Sequence, residues 1–121
     1  MTLLRLIPMH VHAVLETILA PLLIVAPFAL GFSAPALVAA VVLGVLLMGT
    51  ALGTGAALSG HDGGMATSAH ASLDIGLAGA ALICSFAFGF TGDPAAGLFF
   101  GAVAILQGLL ATTTRYTTLP A

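Results

Sequence analysis

The chain has 121 residues, a formal net charge of −2, and 5% charged residues against 60% hydrophobic ones. A soluble domain carries about 25% charged residues, so this chain lacks the polar side chains to cover a water-facing exterior. Its mean hydropathy of +1.23 makes lipid the expected solvent for most of its surface. With two basic residues in all, it has no footprint for nucleic acid.

Four apolar stretches of about 20 residues follow one another, each long enough to cross roughly 30 Å of hydrocarbon as a helix. The first is expected at 10–32. Arg5 before an apolar run resembles a secretory signal, but His10, His12 and Glu16 interrupt the run. The segment is therefore read as a retained transmembrane helix. Pro21 and Pro27 lie inside it, and in a bundle they are expected to kink it rather than break it. The turn Gly31-Phe32-Ser33 ends it, and Pro35 opens a second helix over 35–58. The polar link Ser59-Gly60-His61-Asp62-Gly63-Gly64 leads to a third helix over 67–90. That helix ends at Gly89-Phe90-Thr91. Asp93 as N-cap with Pro94 at the first helical position then starts a fourth, over 94–114. The apolar runs are too long and unbroken for the strands of a membrane barrel. Cys84 lies within an apolar run and is read as a small buried hydrophobe rather than a reactive thiol.

The two halves echo each other. His12 and Glu16 recur as His70 and Asp74 at a constant offset of 58 residues (70 − 12, 74 − 16). The same offset aligns Leu15 with Leu73, Leu19 with Leu77 and Ala20 with Ala78, and places Phe28–Ser33 on Phe86–Thr91. One inserted residue later, Pro35 meets Pro94 and Gly49 meets Gly108. The expected organisation is a first transmembrane hairpin over 1–58, a polar link over 59–66, and a second hairpin with a short tail over 67–121. The fold class is all-α, an integral-membrane four-helix bundle of two tandem hairpins. Each unit holds two crossings, so the pseudo-two-fold axis is expected along the membrane normal. Arg5 and Arg115 flank the bundle, and an even number of crossings puts them on one side. The positive-inside rule makes that side the cytoplasm of a bacterial-type inner membrane.

The segment Leu22–Ser33, with Ala26-Pro27-Phe28 near the end of the first helix, resembles the SPW-repeat family of small membrane proteins, built from two-helix repeats. The resemblance covers both halves. The second copy has Cys84-Ser85-Phe86 in place of the motif, and the chain has no Trp. It implies a tandem pair of membrane hairpins and carries no biochemical activity with it.

His12, Glu16, His70 and Asp74 form the one constellation suited to chemistry. In each copy the imidazole and carboxylate are four apart and share a helix face. Three readings are open. Most simply, the pairs clamp helix 1 to helix 3 in a structural or accessory membrane protein without catalysis. Alternatively, two imidazoles and two carboxylates bind a transition metal, with His10 and His61 as further ligands, or His12 and His70 ligate a haem iron. Lastly, the residues line a path for an ion or small solute. From Glu16 to Ser33 is 17 positions, roughly 25 Å of helix, so both carboxylates are expected near the membrane boundary and within reach of water. Asp62 reads as a solvated turn residue. Gln107 reads as an interhelical hydrogen bond, and Thr112–Tyr116 as an interfacial anchor. Gly49 and Gly53 in helix 2, with Gly97, Gly101, Ala104 and Gly108 in helix 4, mark close helix packing or an interface with a second copy or a larger membrane complex. No nucleophile–base pair and no phosphate loop is present, which disfavours an enzyme.

Overall fold

The computed structural model describes residues 6–58 and 66–116. His61 and Asp62, most of the link, and Arg5 lie outside the described residues. Four helices follow in chain order: α1 (Met9–Ala29), α2 (Ala34–Leu58), α3 (Thr67–Phe90) and α4 (Pro94–Thr113). Each is long and apolar enough to cross a membrane. In hydrocarbon no water satisfies a peptide group, so a run of this composition must bond its backbone internally, and the helix does so within one segment. Among the described residues the only strand-like pairing is an isolated bridge, Ile7 to Thr114.

Both hairpins turn by the same device. Gly31 and Gly92 take positive φ (67° and 95°), the left-handed conformation that costs a glycine least. This lets Phe32 N–H reach back to the Pro27 carbonyl (3.1 Å) and Asp93 N–H to the Phe88 carbonyl (2.9 Å), satisfying carbonyls orphaned at the helix ends. α1 therefore stops at Ala29, three residues before its expected end, because Gly31 already belongs to the turn. It runs on through Pro21 and Pro27 as one helix. Asp93 is the N-cap of α4, accepting from Ala96 N–H (3.2 Å), as its position before Pro94 suggested. Its other oxygen accepts from Ser33 N–H (2.8 Å), which ties the two hairpin turns together.

α1 packs along α2 and α3 along α4, and α2 also lies against α3. Small residues set the spacing. Ala20 and Leu23 of α1 meet Ala36, Ala40, Leu43 and Leu47 of α2 in one buried cluster with Ala81, Ala96, Phe100 and Ala104. The outside is apolar: Phe90, Leu98 and Ile83 are 85%, 78% and 71% exposed. The inside holds the polar residues, since His12, Glu16, Thr54, His70, Asp74 and Thr114 are each 0% exposed. This inversion of the soluble pattern fits a lipid solvent, where apolar side chains face outward without cost. Gly97 and Gly101 face α3, so hairpin packing accounts for that part of the glycine stripe.

The main-chain ends of the bundle meet. Leu6 and Ile7 N–H groups donate to the Thr113 carbonyl (2.9 and 3.0 Å), and Arg115 N–H donates to the Ile7 carbonyl (2.9 Å). The start of α1 and the end of α4 thus lie at one end of the bundle, and Ser33 and Asp93 at the other.

Candidate metal centre

His12 is the fourth residue of α1 and Glu16 the eighth; His70 is the fourth of α3 and Asp74 the eighth. Each pair therefore lies about 5–10 Å inside its helix, one to two turns from the end. Four residues apart on a helix is one face, and here both faces turn inward.

The four side chains close into a ring. His12 Nε2 lies 3.0 Å from Glu16 Oε1 and 2.9 Å from Asp74 Oδ2. His70 Nε2 lies 2.7 Å from Glu16 Oε2 and 3.2 Å from Asp74 Oδ1. One donor atom from each residue falls within 4.8 Å of all the others. Contacts between α1 and α3 (2.7 and 2.9 Å) are thus slightly shorter than those within each helix (3.0 and 3.2 Å).

Neighbours fix the orientation of every member. The Thr114 hydroxyl gives its proton to the Leu110 carbonyl (2.6 Å), so toward His12 Nδ1, 2.5 Å away, it is the acceptor. His12 therefore carries a proton on Nδ1 and turns Nε2 into the ring. The Thr54 hydroxyl contacts Nδ1 of His70. Gln107 of α4 gives both amide protons to the carboxylates, to Glu16 Oε1 at 2.7 Å and Asp74 Oδ1 at 3.1 Å. The Tyr116 phenol donates to Asp74 Oδ2 at 2.5 Å. Burial, and then the bond to Asp74, hold the Tyr116 proton well above the ordinary phenol range, so Tyr116 stays a donor.

Two atoms in this network have no directed hydrogen-bond partner although they are buried, His12 Nε2 and Gln107 Oε1. His12 Nε2 is close to two carboxylate oxygens yet aimed at neither. A buried ring nitrogen about 3 Å from two anionic oxygens, with hydrogen-bond geometry to neither, suits a cation at the centre. The spacing suits one as well. Imidazole and carboxylate bonds to a first-row divalent ion are about 2.0–2.2 Å, which puts ligands at right angles about 3 Å apart, the size of the ring. The Nδ1–hydroxyl contacts are the outer partners that metal-bound imidazoles ordinarily have.

Three expectations are corrected. A haem between His12 and His70 has no slot: the rings stand edge-on with centroids 5.2 Å apart, and the same two carboxylates lie against both Nε2 atoms. The carboxylates are also not reached by water, since Glu16 and Asp74 are 0% exposed despite their shallow depth. The Thr112–Tyr116 tail is not only an anchor, because Thr114 and Tyr116 reach the ring. His10 is exposed on α1 and stands outside the group of four. Gln107 acts as an interhelical hydrogen bond, as its place in α4 suggested, with both carboxylates as partners. The sequence does not single out Thr54, and it presents Thr114 and Tyr116 only as part of the interfacial tail. The sequence signal for the threonines is a hydroxyl near the end of each second helix, in the half-turn antiparallel to the histidine.

No family model, curated protein or solved structure matches this chain.

Proposed function

We propose that this chain is a small integral-membrane protein that holds one divalent transition-metal ion through His12, Glu16, His70 and Asp74, and that the ion joins its two hairpins. The observation that carries this reading is the convergence of two imidazole Nε2 atoms and two carboxylates, all fully buried, with His12 Nε2 near two oxygens and hydrogen-bonded to neither. Two anionic carboxylates enclosed in a bundle need positive charge, and one divalent ion supplies it at the centre of the ring. The role is structural or accessory, because the ion's ligands come from both hairpins and the ring is closed on all sides by Thr54, Gln107, Thr114 and Tyr116. On the α1 side of this assignment, both termini face the cytoplasm, by the basic residues that flank the bundle. The tandem-hairpin organisation agrees with a relationship to SPW-repeat proteins.

A second reading keeps the clamp without the ion. His70 Nε2 and Glu16 Oε2 form a directed hydrogen bond of 2.7 Å, and two protonated imidazoles would neutralise the carboxylates in the same ring. A transmembrane path is not favoured, because Leu23, Leu43, Leu47, Phe32 and Phe100 fill the bundle beyond the cluster.

Elemental analysis of protein purified without chelator, with cobalt(II) reconstitution, tests the proposal. One ion per chain and visible ligand-field bands are expected, and both are expected to vanish in His12→Ala and in His70→Ala, since ligands act as a set. A metal-free protein that also fails to take up cobalt leaves the hydrogen-bonded clamp as the reading.

A further inference from the structure

The ring lies close to one end of the bundle, yet it is sealed. Part of the seal is not helical. α4 ends at Thr113 and α1 begins at Met9, and the segments just beyond them run side by side. Three main-chain hydrogen bonds, Leu6 and Ile7 to Thr113 and Arg115 to Ile7, hold the tail against the start of the chain. From this strap two side chains reach inward. Thr114 accepts from His12, and Tyr116 donates to Asp74 while its ring packs edge-on against His12 (centroids 5.4 Å) and tilted near His70 (6.3 Å). Tyr116 itself is half-buried, with one side toward the outside and its hydroxyl in the ring. The remaining neighbours of the cluster, Thr54 and Gln107, are fixed within α2 and α4.

We infer that the strap of residues 114–116 is the door to the cluster, and that solutes exchange with it from the end of the bundle carrying the first and last helix ends. The strap can lift with α4 intact up to its last residue, because, of its main-chain bonds, only Arg115 N–H to the Ile7 carbonyl lies beyond Thr113, where the helix ends. Lifting it removes a cover from Asp74 and His12 together. Opening from the opposite end would have to part the packed core of α1, α2 and α4 around Leu23, Leu43 and Phe100. The identity of the solute rests on the metal reading above; the door rests on the strap.

Two measurements on the full chain in detergent or nanodiscs test it. The first is extraction of bound cobalt(II) by excess EDTA, followed by absorbance. The second is carbethoxylation of His12 and His70 by diethyl pyrocarbonate, followed by peptide mass spectrometry, which needs no metal. A Cys84→Ala background carrying Pro8→Cys and Arg115→Cys places a disulfide across the strap, one step along the parallel pairing of Ile7 with Thr114. Oxidation is expected to slow both processes by about tenfold or more relative to the same protein reduced, and Tyr116→Ala to speed both by a similar factor. Tyr116→Phe, which keeps the ring and loses the bond to Asp74, is expected to fall between. Rates unchanged by oxidation overturn the door. A protein that takes up no metal but whose histidine labelling follows the strap overturns the metal reading and keeps the door.

Discussion

Replacing Gln107 by Leu separates what holds the bundle together from what holds the ion. Gln107 gives two hydrogen bonds to carboxylates, at 2.7 and 3.1 Å. Bonds to charged groups contribute about 1.5–3 kcal/mol each, so their loss costs about 3–6 kcal/mol. Against this, Gln107 Oε1 is buried without a partner, and removing such an atom returns about 1–3 kcal/mol. On its other side Gln107 borders a small cavity lined by Leu23, Leu43, Leu47, Leu77 and Val103, which accepts a Leu of similar volume. The net loss of stability is about 0–5 kcal/mol, centred near 2–3 kcal/mol. Metal affinity responds differently. Losing an outer hydrogen-bond partner of a ligand typically weakens binding about 10–100-fold, and here one amide supports both carboxylates, so the upper half of that range is expected. Equilibrium unfolding in mixed micelles reads the first quantity, and competition with a chelator of known affinity reads the second. Wild-type metal affinity in Gln107→Leu would refute the supporting role of Gln107. A loss well beyond about 5 kcal/mol with intact affinity would mean that Gln107 holds the fold rather than the site.

The glycine stripe of α4 divides by position. A Cβ on Gly97 would lie 2.8 Å from Gly89 Cα and 3.1 Å from the Ser85 carbonyl, both backbone, so Gly97→Ala should cost about 2 kcal/mol after the gain in helix propensity. Gly108 has nothing within 4 Å, so Gly108→Ala should be neutral or stabilising by up to about 1 kcal/mol; equal effects in thermal unfolding would sink this reading of the α3–α4 contact. Asp93 lies outside the helices and is half-buried, and the Ser33 N–H, then the Ala96 N–H, hold its carboxyl below the ordinary 3.8. Its contribution is therefore fully present above that value and is lost as the pH falls through the lower folded pKa. The difference in Tm between the wild type and Asp93→Asn should be flat above about pH 5 and shrink below about pH 4; a difference that grows on acidification contradicts the capping geometry. In a Cys84→Ala background, Ser33→Cys should label from outside intact cells and Leu6→Cys only from inside, and the reverse pattern would invert the orientation.

Composition settled the solvent before any contact was known. Six charged residues in 121 cannot cover a soluble domain, and four long apolar runs have one low-cost backbone solution in lipid, the helix. Local chemistry set the hairpins too. Glycine at Gly31 and Gly92, with Asp93-Pro94, carries its conformational preference in the residue itself, so these turns were legible where they stand. The i, i+4 spacing likewise put each histidine and its carboxylate on one face. What the four residues do together was not legible. The His12–Thr114 contact joins positions 102 residues apart, and Tyr116 reaches Asp74 across 42. Thr114 does not differ in sequence from its neighbours Thr112 and Thr113, and Tyr116, the chain's single tyrosine, reads as an interfacial anchor. The same holds for Gly44, whose absent side chain admits Ile24 and the Ala20 carbonyl, while the equally plain Gly49 meets nothing. In lipid no hydrophobic drive sorts helix faces, so which small residue lies at a crossing and which polar group is enclosed depend on how helices dock. Docking is a property of the whole bundle, and only the tertiary structure decided that the two His–carboxylate pairs close into one sealed ring.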